Sequence, residues 1–169
     1  MLFATSILAE YAKQELQMDE KDRQILRALQ DDGRLSNQAL SERVSLSPSP
    51  CLRRVRRLEE CGIIQGYSAI VNQKACGLPV TAFLTVRLTR HSAEEVRDFE
   101  AQIERLEEVT DCYLMTGAAD YLLRVIVRDL ESYEAFIRQK VHQIAGVAAL
   151  DTSFAYGTIK AGRTVNLSS

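Results

Sequence analysis

The chain has 169 residues, enough for one ordinary domain or two small ones. Hydrophobic residues make up 46% and charged residues 26%, the balance of a folded globular protein rather than a disordered one. A net charge of −2 excludes bulk electrostatic attraction to nucleic acid, so any DNA contact has to come from a local basic patch.

The cysteines stand at 51, 61, 76 and 112, with no C-x-x-C spacing, and the only histidines are His91 and His142. That pattern argues against a zinc site and for reduced thiols in a cytoplasmic protein. The apolar start MLFATSILA has no Lys or Arg before it and runs into Glu10, so it does not read as a signal peptide. It is also too short to span a membrane. Residues 1–18 read as an N-terminal extension with room for one helix, and Met18, directly before Asp19, is an alternative start.

Three short helices are expected over residues 19–62. The first runs from Asp19 to Asp31, with Ile25, Leu26 and Leu29 on one face, and Gly33 stops it. Ser36 caps a second, whose apolar positions are Leu40 and Val44. After a tight Ser45-Leu46 turn, Ser47 is an N-cap and Pro48 takes the first helical position, where its missing N–H costs nothing. The third helix continues to Cys61, and Gly62 ends it. Ile63–Val71 is extended in character and reads as a wing strand followed by a linker. The expected division is a helical domain over 19–66, a linker strand over 67–78 and a second domain over 79–165.

The second domain alternates differently. Strands are expected at Val80–Thr89, Thr110–Met115, Tyr121–Val127 and Ala148–Ile159. Helices are expected at Ala93–Glu107, with Val96, Phe99, Ile103 and Leu106 inward, and at Ser132–Ile144, with Tyr133, Phe136, Ile137, Val141 and Ile144 inward. The order β-α-β-β-α-β is the split βαβ, or ferredoxin-like, arrangement, and the whole chain is α+β. Two helices on one face of a four-stranded sheet leave its other face bare, which predicts at least a dimer.

The third helix carries the strongest chemical signal. At 100° per residue, Leu52, Val55 and Leu58 share one face with Cys51 beside them, while Ser49, Pro50, Arg53 and Arg57 lie opposite and Arg54 and Arg56 flank them. A basic helix after a tight turn is the helix-turn-helix arrangement, in which the N-terminal residues of the second helix meet base edges in the major groove. Arg53 suits guanine, and Arg54, Arg56 and Arg57 suit phosphates. The full DNA-contact set is Ser36, Asn37, Ser47, Ser49, Pro50, Arg53, Arg54, Arg56 and Arg57. The alternative is a solvated basic face answered by nearby acids such as Glu59 and Glu60.

Three stretches resemble the Lrp/AsnC family. They are Asp19-Glu-Lys-Asp-Arg-Gln-Ile-Leu-Arg-Ala-Leu-Gln with Asp32-Gly-Arg-Leu-Ser, then Leu46-Ser-Pro-Ser-Pro-Cys-Leu-Arg-Arg-Val-Arg-Arg-Leu-Glu, then Gly62-Ile-Ile-Gln-Gly-Tyr. Leu114-Met-Thr-Gly-Ala-Ala-Asp-Tyr-Leu-Leu-Arg-Val is similar in the second half. The resemblance implies a winged helix-turn-helix head, a ferredoxin-like (RAM-type) regulatory domain, dimers that assemble into octamers, and no cofactor. It further implies a bacterial regulator of amino-acid metabolism genes that binds double-stranded DNA and a small amino acid, leucine or another apolar one, at the interface between regulatory domains. The match at Gly117-Ala118-Ala119-Asp120 carries the effector site, with Met115 and Thr116 beside it and Thr152 and Ser153 offered by a neighbouring subunit. A glycine turn lets backbone N–H groups approach a carboxylate, and Asp120 can pair with an ammonium. The competing reading is a plain β-turn with Asp120 as its turn former. Many members carry a more polar residue where this chain has Ala118 and Ala119, which leaves the effector's identity open.

An enzyme finds no support, because no Ser/His/Asp or Cys/His constellation and no phosphate-binding glycine loop occurs, and His91 and His142 read as surface residues. A DNA-compacting architectural protein would use the same basic helix, and only a specificity ratio at stated salt separates it from a regulator.

Overall fold

The computed structural model describes residues 18–161 and 164–167, so the expected helix within residues 1–17 lies outside the described residues. The described residues divide into two compact units, 18–69 with 164–167 and 70–161.

The first unit is helical: α1 (Glu20–Asp31), α2 (Asn37–Arg43) and α3 (Pro48–Glu60). Asp19 caps α1 in a reciprocal box with Asp22, each side chain accepting the other's backbone N–H. Ser36 caps α2 by accepting from Ala39 N–H. Between α2 and α3, Ser45 takes φ 52°, the left-handed position that usually belongs to glycine. Ser45 N–H donates to the Glu42 carbonyl and Leu46 N–H to that of Ser41, so two otherwise unpaired carbonyls of α2 are satisfied. Ile25, Leu26, Ala28, Leu40, Val44, Cys51 and Leu58 form the core. On α3 the buried residues are Cys51 and Leu58, which stand two turns apart, whereas Leu52 is 38% exposed and not inward as its place on the wheel suggested.

The expected wing and linker strands do not form. Residues 65–72 carry no regular structure and 73–77 make a turn, with Ile70 87% and Val71 67% exposed. The β-branched residues there suit a strand, but no neighbouring strand satisfies their backbone, and a strand needs such pairing.

The second unit contains β1 (Val80–Leu88), α4 (Ala93–Ile103), β2 (Val109–Leu114), β3 (Tyr121–Val127), α5 (Leu130–Gln139), a 3-10 turn (Val141–Gln143) and β4 (Val147–Phe154). The sheet is antiparallel in the order β2-β3-β1-β4, the ferredoxin-like topology. Ala82, Leu84, Val86 and Leu88 of β1 and Tyr121, Leu123, Val125 and Val127 of β3 alternate onto one face. There they meet Phe99 and Ile103 of α4, Tyr133 and Phe136 of α5, and Val141 and Ile144 beyond it. The Phe99 and Tyr121 rings lie 4.6 Å apart.

The larger differences from expectation fall at four bounds. The helix starting at Ala93 ends at Ile103 rather than Glu107, the Ser132–Ile144 helix starts at Leu130 and breaks at Lys140, and the last strand stops at Phe154 rather than Ile159.

Candidate functional site

The basic helix is held by acids from α1. Asp22, fully buried, accepts from Arg54 Nη1 at 2.8 Å and from Arg57 Nη2 at 2.5 Å. Asp19 accepts from the same Arg54 nitrogen at 2.7 Å. The Asp22 N–H, opposed by burial and helped by Arg54, holds the Asp19 carboxyl below its ordinary 3.8. Arg54 and Arg57, expected as phosphate contacts, also brace α3 against α1. Their partners are not Glu59 or Glu60, and Glu59 accepts from the Tyr67 hydroxyl instead. Arg53 and Arg56 are exposed, and neither has an ion pair among the described residues.

The other expected DNA contacts divide the same way. Asn37 donates from Nδ2 to the Pro48 carbonyl at 3.0 Å, tying the start of α2 to the start of α3. The Ser36 hydroxyl is engaged in its cap. Ser47 begins α3 without a side-chain capping bond, and both Ser47 and Ser49 are exposed, with Pro50 half-buried. The exposed polar surface at this end of α3 is therefore Ser47, Ser49, Arg53 and Arg56. Lys21 fixes the turn from behind, donating to the Val44 carbonyl at 2.6 Å.

In the second unit Met115–Asp120 forms a closed loop between β2 and β3. Met115 N–H donates to the Asp120 carbonyl at 2.8 Å and Asp120 N–H to the Val86 carbonyl at 2.9 Å. Arg87 Nε donates to the Ala118 carbonyl at 3.0 Å. Gly117 takes φ 116°, a conformation that L side chains rarely adopt. The Asp120 side chain is fixed at both oxygens: Leu88 N–H donates to Oδ2 at 2.7 Å, and His91 Nε2 lies 2.8 Å from Oδ1. Burial pushes this carboxyl up, but the Leu88 N–H, His91 and Arg87 together hold it below 3.8. His91, read from sequence as an unengaged surface residue, is thus a partner of Asp120. Only the tertiary fold reveals this, because the two are 29 residues apart.

Thr152 and Ser153 do not join this loop within one chain. Thr152 pairs with Leu84, whereas Asp120 bonds Leu88, four residues or about 13 Å along β1. The two also face opposite ways. Thr152 lies on the helix-covered face with its hydroxyl 2.7 Å from that of Tyr133, and Ser153 lies opposite Phe83 on the open face. A groove of about 670 Å³ runs along α4 and β2, lined by Arg97, Glu100, Glu104, Cys112, Leu114 and Tyr121 among others, and includes none of the expected effector residues.

Among the described residues no cluster of His, Cys, Asp or Glu could hold a metal ion, and no helix is long and apolar enough to cross a membrane. All four cysteines are free.

Comparison with known proteins places both units. Residues 18–65 match the winged helix-turn-helix DNA-binding family, and residues 81–165 match the Lrp/AsnC ligand binding domain. Transcriptional regulator AzlB of Bacillus subtilis is 39% identical over 152 residues, covering 90% of this chain and 96% of the relative. The leucine-responsive regulatory protein of Escherichia coli K12 is 42% identical over 130 residues, covering 77% and 79%. The crystal structure of a transcriptional regulator from Neisseria meningitidis in complex with L-methionine matches with a TM-score of 0.84 at 37% identity, covering 89% of this chain and 97% of that one. A basic helix braced behind a tight turn, followed by a ferredoxin-like ligand-binding domain, identifies this chain as a transcriptional regulator of the Lrp/AsnC family.

Proposed function

We propose that the protein is a sequence-specific, cytoplasmic regulator of amino-acid metabolism genes whose DNA affinity is set by a small apolar amino acid bound at Met115–Asp120. The observation that carries this reading is the Asp120 carboxylate, ionised, fixed at both oxygens and set beside the Gly117 bend. Such a carboxylate can take the ammonium of an amino acid by sharing Oδ1 with His91, while backbone N–H groups of the bend approach its carboxylate. The similar proteins support the ligand class, one being named leucine-responsive and another being in complex with L-methionine.

Assembly follows from the sheet. Its open face carries Phe83, Tyr113, Leu122 and Ile126, and pairing two such faces makes a dimer. In that dimer two α3 helices enter successive major grooves about one turn apart, with Arg53 and Ser49 at base edges and Arg56 on phosphate. Further association to an octamer brings Thr152 and Ser153 of a neighbouring subunit towards the effector loop. An amino acid that binds one assembly state better than another shifts DNA affinity by that difference.

The test is a gel-shift titration with the DNA upstream of the protein's own gene, at fixed physiological salt, with and without each standard amino acid. A specific shift altered by an apolar amino acid is the expected result. A specific shift indifferent to every amino acid removes the sensing role, and the absence of any specific shift favours the architectural reading.

A further inference from the structure

Arg87 stands among the hydrogen bonds that fix the Met115–Asp120 loop. Asp120 N–H donates to the Val86 carbonyl at 2.9 Å and Leu88 N–H donates to Asp120 Oδ2 at 2.7 Å, so Asp120 is tied to the residues on either side of Arg87. Val86 and Leu88 are buried beneath the helices, and strand alternation turns the exposed Arg87 side chain to the open face. From there its Nε donates to the Ala118 carbonyl at 3.0 Å, which brings the guanidinium to the Gly117 bend. That bond uses one of five N–H groups. Among the described residues the other four, on Nη1 and Nη2, meet no acceptor, and no carboxylate forms an ion pair with Arg87. Asp120 is the nearby acid, but Leu88 and His91 take its two oxygens. Burial raises the Asp120 carboxyl, and Arg87 acts with the Leu88 N–H and His91 to lower it, so the two charges feel one another across the bend without pairing. Ala118 and Ala119 bring no polar side chain between them.

We propose that Arg87 holds the carboxylate of the effector while Asp120 holds its ammonium, so that the loop selects molecules carrying both groups. This rests on the placement of the effector at Met115–Asp120 and adds the side chain that selects its anionic end. The Nη1/Nη2 edge of a guanidinium presents two parallel N–H groups, which match the two oxygens of a carboxylate. A carboxamide in the same place has no charge, offers one oxygen and turns its own N–H groups toward donors. The favoured ligand is therefore a free α-amino acid rather than its amide or the corresponding amine. The Ala118 bond by itself would make Arg87 a clamp on the loop. A clamp serves every ligand of the site alike, whereas a carboxylate partner serves only ligands that have a carboxylate.

Calorimetric titration of the full chain at neutral pH, with L-leucine, L-methionine and the carboxamide of each, separates these roles. The wild type is expected to bind a free amino acid about tenfold or more tightly than its carboxamide. Arg87→Ala weakens the free amino acid about ten- to hundredfold, leaves the carboxamide within about twofold and so removes the preference. Arg87→Met, which keeps the apolar stem, gives the same split and stands in where Arg87→Ala does not fold. Arg90→Ala, which removes a like charge from the exposed loop after β1, keeps the preference. Equal weakening of both ligands in the Arg87 variants makes the residue a clamp and overturns the proposal. Loss of the preference in Arg90→Ala as well overturns it in favour of a general field. A wild type that binds the amino acid and its carboxamide equally overturns the carboxylate role and leaves the effector reading standing, whereas a wild type that binds neither removes both.

Discussion

Asp22 Oδ1 stands 2.8 Å from Arg54 Nη1, one of three ion pairs that join the cap of the first helix to the basic helix α3. Asp22 also accepts from Arg57 and closes the box with Asp19, so a single buried carboxylate sets the position of α3. Removing it leaves the Arg57 guanidinium without its counter-charge and Arg54 with Asp19 alone. Asp22→Ala is therefore expected to destabilise the head by about 2–3 kcal/mol, read by denaturant unfolding of the full chain. DNA affinity falls with it, because α3 loses its brace. Glu20→Ala, which breaks the exposed pair with Arg27 and a long exposed bond from Gln24, is the control and shifts stability by less than about 0.5 kcal/mol.

The elements were legible where a local rule applied. Ser36 marks its helix end by a capping bond, Pro48 by its fixed φ at the first helical position and Gly62 by its positive φ, and the period-2 burial of Tyr121–Val127 is written in its residues. What sequence could not show are the partners that the fold brings in from far along the chain. Arg54 and Arg57 look like free basic residues until Asp22 arrives from 32 and 35 residues away, and Gln30 meets Val165 across 135. Ile63–Val71 carries no strand for the converse reason: its residues suit one, but strand formation is a tertiary property that the residues alone do not decide. On the site, the loop Met115–Asp120 was readable as a unit, whereas the orientation of Thr152 and Ser153 depends on the β1–β4 register.

Ser45 holds a left-handed backbone in the turn between α2 and α3, with no glycine to relieve its Cβ. The two hydrogen bonds around it keep the conformation in place. Ser45→Gly removes a steric cost of about 1–2 kcal/mol, and the greater freedom of glycine in the unfolded chain returns roughly half or more of that. A net stabilisation of about 0.5 kcal/mol is expected, visible as a small rise in the midpoint of thermal unfolding. An unchanged or lower midpoint would show that the turn is not strained.

Among the described residues no acid holds Arg53 or Arg56 of α3, and they should behave differently on DNA. Arg53 lies one turn from Ser49, at the end of the helix that reaches base edges. Arg53→Ala is expected to cost about 1–3 kcal/mol on the preferred sequence and little on others, flattening specificity. Arg56 lies farther along α3, and Arg56→Ala should weaken all sequences alike and reduce the slope of affinity against salt by about one unit. Competition binding at several salt concentrations separates the two. Equal behaviour of both variants would remove the base-reading role from Arg53.

Asp120 separates the sensing role from DNA binding. Its carboxyl is pushed up by burial but pulled further down by the Leu88 N–H, His91 and Arg87, so its folded value lies below 3.8. A lowered value means that its contribution to stability is fully present above 3.8 and is lost as pH falls through the folded value. The charge that would hold an ammonium is thus in place throughout the neutral range. Effector binding by calorimetry should show no loss attributable to Asp120 between pH 5 and pH 8, and a loss only as pH falls below about 4. Asp120→Asn keeps an acceptor for Leu88 N–H while removing the charge, so the sheet domain should stay folded and the response to an amino acid should disappear. Basal DNA affinity should be unchanged in that variant, because the head's own contacts are untouched. A full amino-acid response in Asp120→Asn would move the ligand away from this loop, and the α4–β2 groove with Arg97 and Glu104 would then be the next place to test.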